Sequence, residues 1–389
     1  MKYKRKKLHI VKIIFLLSSA LINFFPLVSH AASFSYAVWV PYWKDDAGVA
    51  EVKAHLGSVQ EVSPFGYEVR ADDTLVDKLK IGQEPWPTFF VAAAQSKVKI
   101  IPTVSWIDGD AILLTLASTT GRAQHIGQII DMVRANNFAG IDIDYENKKA
   151  ETRPYFSKFI KELSAKLHKD EAQRNSSEAS AKGNKKILSC SIEARTPISS
   201  RFTRVPKDLA YANDFSVIGQ YCDEVRILAY DQQNIDLKLN KQKGGDKLYA
   251  PVADIDWVKK VIQEALKSIS AKKIMLGIPT FGYEYAITSQ FIRGWNYQKI
   301  RSVSYQSAMQ IAQSVSTTPM HNSAGEMSFT YLTTSTSTPL GVNSTHLVWF
   351  PDSGSAQAKI KLAKQFKLRG VTIFKADGES DPLMWQVLK

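Results

Sequence analysis

Three acids occupy alternate positions in the segment 138–146, FAGIDIDYE: Asp142, Asp144 and Glu146. Residues two apart on a strand share a face. The acids therefore lie on one side and Ile141, Ile143 and Tyr145 on the other. Carboxylates this close raise one another's pKa, so at least one proton should stay on the group at neutral pH. Three readings fit such a ladder: a solvated strand end, a ligand set for a hard cation such as Mg2+, or a proton-handling catalytic group. Carboxylates that perturb one another cluster at functional sites, which favours the third. On that reading the last acid, Glu146, stands at the strand's C-terminal end as the proton donor.

The surrounding pattern says what holds the ladder in place. Short, β-branched runs bounded by turn residues recur eight times: 36–43, 61–69, 97–106, 138–146, 185–194, 224–231, 273–283 and 370–376. Helical periodicity fills most gaps, as in 121–137, with Ile126, Ile129, Ile130 and Val133 on one face, and in 154–169, 256–269 and 355–367. Eight strand–helix repeats predict an α/β fold closed into a (β/α)8 TIM barrel. The outer face of each strand then packs on helices, so the isoleucines point out and the acids point in. Two segments break the repeat. Residues 169–186 are polar and predict a mobile loop at the N-terminal face. Residues 284–345, with a helical pattern at 305–315 and a strand-like run at 327–333, predict a small α+β insertion between strands seven and eight, walling one side of the barrel mouth.

The N-terminus has a different character. A basic stretch (KYKRKK, 2–7), an apolar run (10–28) and small residues (SHAAS, 29–33) predict a signal peptide over 1–31 cut after Ala31, or an uncleaved anchor. Either way the remainder, 32–389, is expected to be exported as a secreted or cell-wall-associated domain, with no second membrane span. Removing the segment's six basic residues lowers the formal charge from +13 to +7. No basic patch suggests a nucleic-acid partner. Cys190 and Cys222 read as mid-strand and next-strand start, offset along the sheet. Two separate small buried side chains are therefore expected, although export would permit a disulfide. The seven histidines show no metal-ligand spacing, so neither a metal site nor a cofactor is expected.

The segment GIDIDYE resembles the D-x-x-D-x-D-x-E signature of glycoside hydrolase family 18, the chitinases and their relatives. ILAYD (227–231) resembles the family's M-x-Y-D on strand six. KIMLGIPTFGYEY and HLVWFPDSGSAQAKIKLAKQFKLRGVTIF are similar to its strand-seven and strand-eight segments, so the likeness spans the mature chain. SPFGYEV and VWFPDS lean towards the bacterial branch that includes spore- and wall-lytic N-acetylglucosaminidases. The resemblance implies a retaining mechanism in which the substrate's own acetamido group is the nucleophile. Glu146 would be the acid, Asp144 the acceptor for the acetamido N–H, Asp142 its proton-sharing neighbour, and Tyr230 a hydroxyl donor to the acetamido oxygen. Asp231 would contact the sugar. Two departures stand out: Ala139 replaces the first aspartate of the signature, and Phe374 stands where the family usually has tryptophan.

Rings near strand ends are candidates to stack on sugars: Trp39, Trp43, Tyr67, Trp106, Tyr283, Tyr285, Trp349 and Phe374. Of these Phe374, Trp39, Tyr67, Trp106 and Tyr283 are the expected substrate contacts. The expected partner is an N-acetylglucosamine-containing polysaccharide, either chitin oligomers or peptidoglycan. The alternative is a silent sugar-binding protein of the same fold. Retention of Glu146, Asp144 and Tyr230 favours an enzyme.

Overall fold

The computed structural model describes residues 34–177, 185–245, 247–290, 294–334 and 343–389. The expected signal peptide lies outside these residues. Eight parallel strands close into a barrel: β1 (Ser35–Pro41), β2 (Glu61–Val69), β3 (Thr103–Trp106), β4 (Gly140–Tyr145), β5 (Ile187–Glu193), β6 (Glu224–Leu228), β7 (Ile274–Pro279) and β8 (Gly370–Phe374). Each pairs with its neighbour in chain order, and β8 returns to β1 to close the ring. This is the predicted (β/α)8 TIM barrel.

Helices cover the outer face because their apolar stripes match it. Ile255–Ala265 buries Trp257, Val258, Val261, Ile262 and Ala265, spaced for one helical face. Its start is fixed by Asp254, whose carboxylate accepts from the Asp256 amide at 2.8 Å. Thr119–Ala135 buries the predicted Ile126, Ile129, Ile130 and Val133. Against it and its neighbour lies Tyr145, stacked on Phe159 and hydrogen-bonded to His125. The outward residues of β4 are thus fully committed to the helical layer, which turns Asp142 and Asp144 to the interior.

The helix Arg153–Ser177 runs into the segment read as a mobile loop. KDEAQRNSS is rich in good helix formers and has neither Gly nor Pro, so a largely polar sequence continues the helix. The rest of the expected loop, 178–184, lies outside the described residues.

Cys190 and Cys222 form a disulfide, with Cα atoms 6.2 Å apart, so the expectation of separate thiols is corrected. Cys222 does not start a strand. It caps the helix Phe215–Tyr221, which lies over the sheet's outer face where Cys190 points.

Between β7 and β8 lies the insertion, a five-stranded antiparallel sheet with the helix Tyr305–Ser314. Its central strands are Phe281–Gln290 and Asn343–Phe350. The sheet therefore begins directly after β7: the run 273–283 is two strands broken at Thr280, not one. Trp349 anchors the sheet's core and donates through its indole N–H to Glu326 at 2.8 Å.

Candidate active site

β4 carries the acids to the C-terminal end of the barrel, where the strands open into the mouth. Asp142 is the deepest and is fully buried. It accepts from Ser189 Oγ at 2.7 Å, Thr103 Oγ1 at 2.9 Å and Ser191 Oγ at 3.0 Å. Thr103 is oriented by Trp39, whose indole N–H donates to its hydroxyl at 3.0 Å. Beneath Asp142 lies Arg226, also fully buried, 3.9 Å from its carboxylate and paired to Glu224 at 2.8 Å and Glu61 at 3.5 Å. Removing one member of such a buried set would leave a bare charge in the barrel interior.

Asp144 is 5% exposed, and among the described residues its Oδ1 has no hydrogen-bond partner. Burial, then Glu146 and Asp142, pushes its carboxyl well above the usual range. Glu146 is half-buried at the rim, and burial followed by Glu193 raises it too. Asp144 and Glu146 therefore hold their protons more tightly than free carboxyls do, and the shift belongs to the coupled group.

β6 delivers Tyr230 beside the ladder. Burial, then Asp144 and Glu146, raises its hydroxyl well above the ordinary value and keeps it a donor. The ring stacks on Phe374 at 5.8 Å and meets Phe281 edge-on at 5.6 Å. Gly277 of β7 leaves room for it: a Cβ there would lie 3.2 Å from Tyr230 Cε1 and 2.6 Å from the Ile227 carbonyl oxygen. Asp231 takes a left-handed conformation (φ 59°) and is hydrogen-bonded by the Tyr283 hydroxyl. A cleft of about 640 Å³ opens beside Phe374, between the rim residues Trp43 and Thr280 and the insertion's Tyr283, Arg301 and Ser304. The insertion forms one wall of the mouth, as predicted.

The structure brings Asp144, Glu146, Tyr230, Asp231, Phe374 and Tyr283 to the mouth and sets Asp142 below them in the barrel interior. Trp39 sits below Phe374, 1% exposed, as part of the floor and not as a contact surface. Tyr67 and Trp106 do not reach the mouth. Trp106 packs outward on His125 and Tyr145. Tyr67 packs outward near Phe138 because the register of β2 shifts between Phe65 and Tyr67, against β3. Phe65 takes the inward place instead, edge-on to Phe374 and Trp43. Tyr285 and Trp349 belong to the insertion's core. Four residues escaped the sequence reading: Phe65, Phe281, Lys148 and Glu193. A period-2 reading of β5 would have found the last, since Ser189, Ser191 and Glu193 share the face that lies against the acids.

The profile of "Glycosyl hydrolases family 18" matches residues 41–379. The chain belongs to glycosyl hydrolase family 18. Among curated relatives, an uncharacterized glycosylase, YvbX, of Bacillus subtilis is 25% identical over 72% of this chain and 70% of its own length. The cortical fragment-lytic enzyme of the same organism is 24% identical over 71% of this chain, but the match spans only 54% of that protein. A chitinase from Chromobacterium violaceum has the same fold, with a TM-score of 0.68 and 20% identity over 92% of this chain and 98% of that one.

Proposed function

We propose that the chain is a secreted glycosidase that hydrolyses β-1,4 linkages next to N-acetylglucosamine, with the substrate's acetamido group as nucleophile. One observation carries the reading: a buried Asp144 with a free oxygen, flanked by Glu146, whose carboxyl burial and Glu193 push up, and by the Tyr230 hydroxyl. Glu146 gives its proton to the glycosidic oxygen as the C1–O bond breaks. The acetamido carbonyl oxygen bonds to C1 and forms a cyclic oxazolinium ion. Asp144 passes its shared proton to Asp142 and, as a carboxylate, accepts the acetamido N–H and offsets the developing positive charge, while Tyr230 donates to the acetamido oxygen and aligns it. Glu146, now a carboxylate, takes a proton from water. The water's oxygen bonds to C1, the ring reopens and configuration is retained. No protein nucleophile and no metal is needed.

Peptidoglycan fragments are the favoured substrate, because relatives carry the name cortical fragment-lytic enzyme. The N-terminal pattern and the Cys190–Cys222 disulfide support export, since disulfides persist in oxidising compartments. Glu146→Gln should lower turnover of a chromogenic N-acetylglucosamine oligomer by about 10²–10⁴-fold while leaving sugar binding intact. Unchanged turnover would remove Glu146 as the acid. A thiazoline mimic of the oxazolinium should inhibit, and EDTA should not. Mass spectrometry of products from peptidoglycan and chitohexaose, run in parallel, identifies the polymer.

A further inference from the structure

Immediately after Glu146 the chain makes a left-handed turn at Asn147 (φ 54°). Asparagine tolerates that conformation better than most residues. The turn sends the Lys148 side chain back under the rim. It is fully buried, its ammonium has no hydrogen-bond partner among the described residues, and it lies 4.7 Å from the centre of the Phe156 ring. A buried ammonium without hydrogen bonds is costly, so its retention calls for a compensating electrostatic role. The nearest carboxylate is Glu193, at 3.7 Å. Glu193 is the third residue on the inward face of β5, after Ser189 and Ser191, which pair with Asp142 and Asp144. It therefore continues the row beside Glu146. Its other oxygen is held by the Asn213 amide, and Arg195 in turn donates to the Asn213 carbonyl at 3.0 Å.

We propose that Lys148 and Glu193 are positioning residues for the reaction: a charge pair flanking Glu146 that sets when it holds its proton and when it releases it. The inference rests on the glycosidase reading given above. The titratable groups facing Glu146 are Asp144 from β4, Glu193 from β5, Tyr230 and Asp231 just after β6, and Lys148 from the turn. The Lys149–Asp110 pair lies outside, in solvent. Within this set Glu193 opposes loss of the Glu146 proton and Lys148 favours it. Lys148 also stabilises the carboxylate that Glu146 becomes between the two steps, when it must act as base. Neither residue touches the substrate; both act through Glu146.

The two halves of the pair act in opposite directions, and that distinguishes the proposal from simple packing. The full chain carrying Lys148→Met should show the alkaline limb of its kcat/KM profile moved up by about one pH unit. Glu193→Gln should move it down by a similar amount, and the double variant should return towards the parent. Titration of the Glu146 carboxyl by carbon-13 NMR in the ligand-free protein should show the same displacements without any turnover. Lys148→Met removes a buried charge while keeping the side chain's bulk, so its folding is checked by melting; the Glu193 side chain is 40% exposed, and Glu193→Gln decides the matter if the first variant does not fold. Limbs and titrations that stay put while kcat falls would reduce the pair to a structural role. Wild-type turnover in Glu146→Gln would instead overturn the function itself, so the two failures are told apart.

Discussion

At the scale of single residues, the site stores its potential in protons held where water cannot share the charge. Asp144 shows this most clearly. In the unfolded chain it ionises near pH 4. In the folded chain burial and its acidic neighbours hold the proton to well above that value. A folded pKa raised above the unfolded one gives stability that is fully present below the unfolded value. That stability is lost as pH rises through the folded value. The parent should therefore lose ground to Asp144→Asn as pH rises from about 4, by up to about 1.4 kcal/mol per pH unit until the folded carboxyl ionises. Urea unfolding of both proteins at about pH 3.5 and about pH 7 measures the gap. A gap that does not change with pH would mean that the folded Asp144 carboxyl ionises at its ordinary value. Asp144→Asn also removes the acceptor charge needed opposite the acetamido N–H, so greater stability at neutral pH should accompany lost turnover.

At the scale of elements, adjacent strands are shaped around the tyrosine. Gly277 of β7 is needed because a methyl group there would meet a backbone oxygen at 2.6 Å before it met the Tyr230 ring. Gly277→Ala should cost about 1–3 kcal/mol of stability as an overpacked site. It should also lower kcat at temperatures where the protein is fully folded, by displacing the hydroxyl. Gly57→Ala, with nothing within 4 Å, is the matched control and should leave both unchanged. Unaltered kcat in Gly277→Ala would detach the Tyr230 position from turnover. The same strands explain what was legible in the sequence. The β4 acids and isoleucines were readable because period 2 holds without interruption through residues 140–145. In β2 the pattern breaks at Gly66, so Tyr67 and Phe65 exchange roles, and no periodicity rule sees a bulge from one strand alone. Lys148 was hidden for a similar reason. Outside the strand its direction is set by the φ of Asn147, whereas the acids follow from spacing.

At the scale of the whole molecule, the barrel's closed ring and its outer helical layer must hold together for the mouth to keep its shape. The Cys190–Cys222 bond ties the two layers between β5 and β6. A Cys222 at the start of a strand would be offset from Cys190 along the sheet, which argues against the pair; in the fold Cys222 caps a helix instead. The helix before β6 supplies a third dimension that brings Cys222 over Cys190. The bond closes a loop of 32 residues, and a loop of that size restricts the unfolded chain by on the order of 3–4 kcal/mol. Cys190→Ala with Cys222→Ala should therefore melt several degrees lower. Reduction of the parent by dithiothreitol should reproduce the change. Both cysteines face away from the acids, on the helical side of β5 opposite Ser189, Ser191 and Glu193. Below the melting range kcat/KM on an N-acetylglucosamine oligomer should accordingly match the parent. A fall in kcat/KM without a fall in melting temperature would contradict this. It would mean that the bond acts on the inward face of β5, where Glu193 stands beside the acid, and not on the packing of barrel against helix.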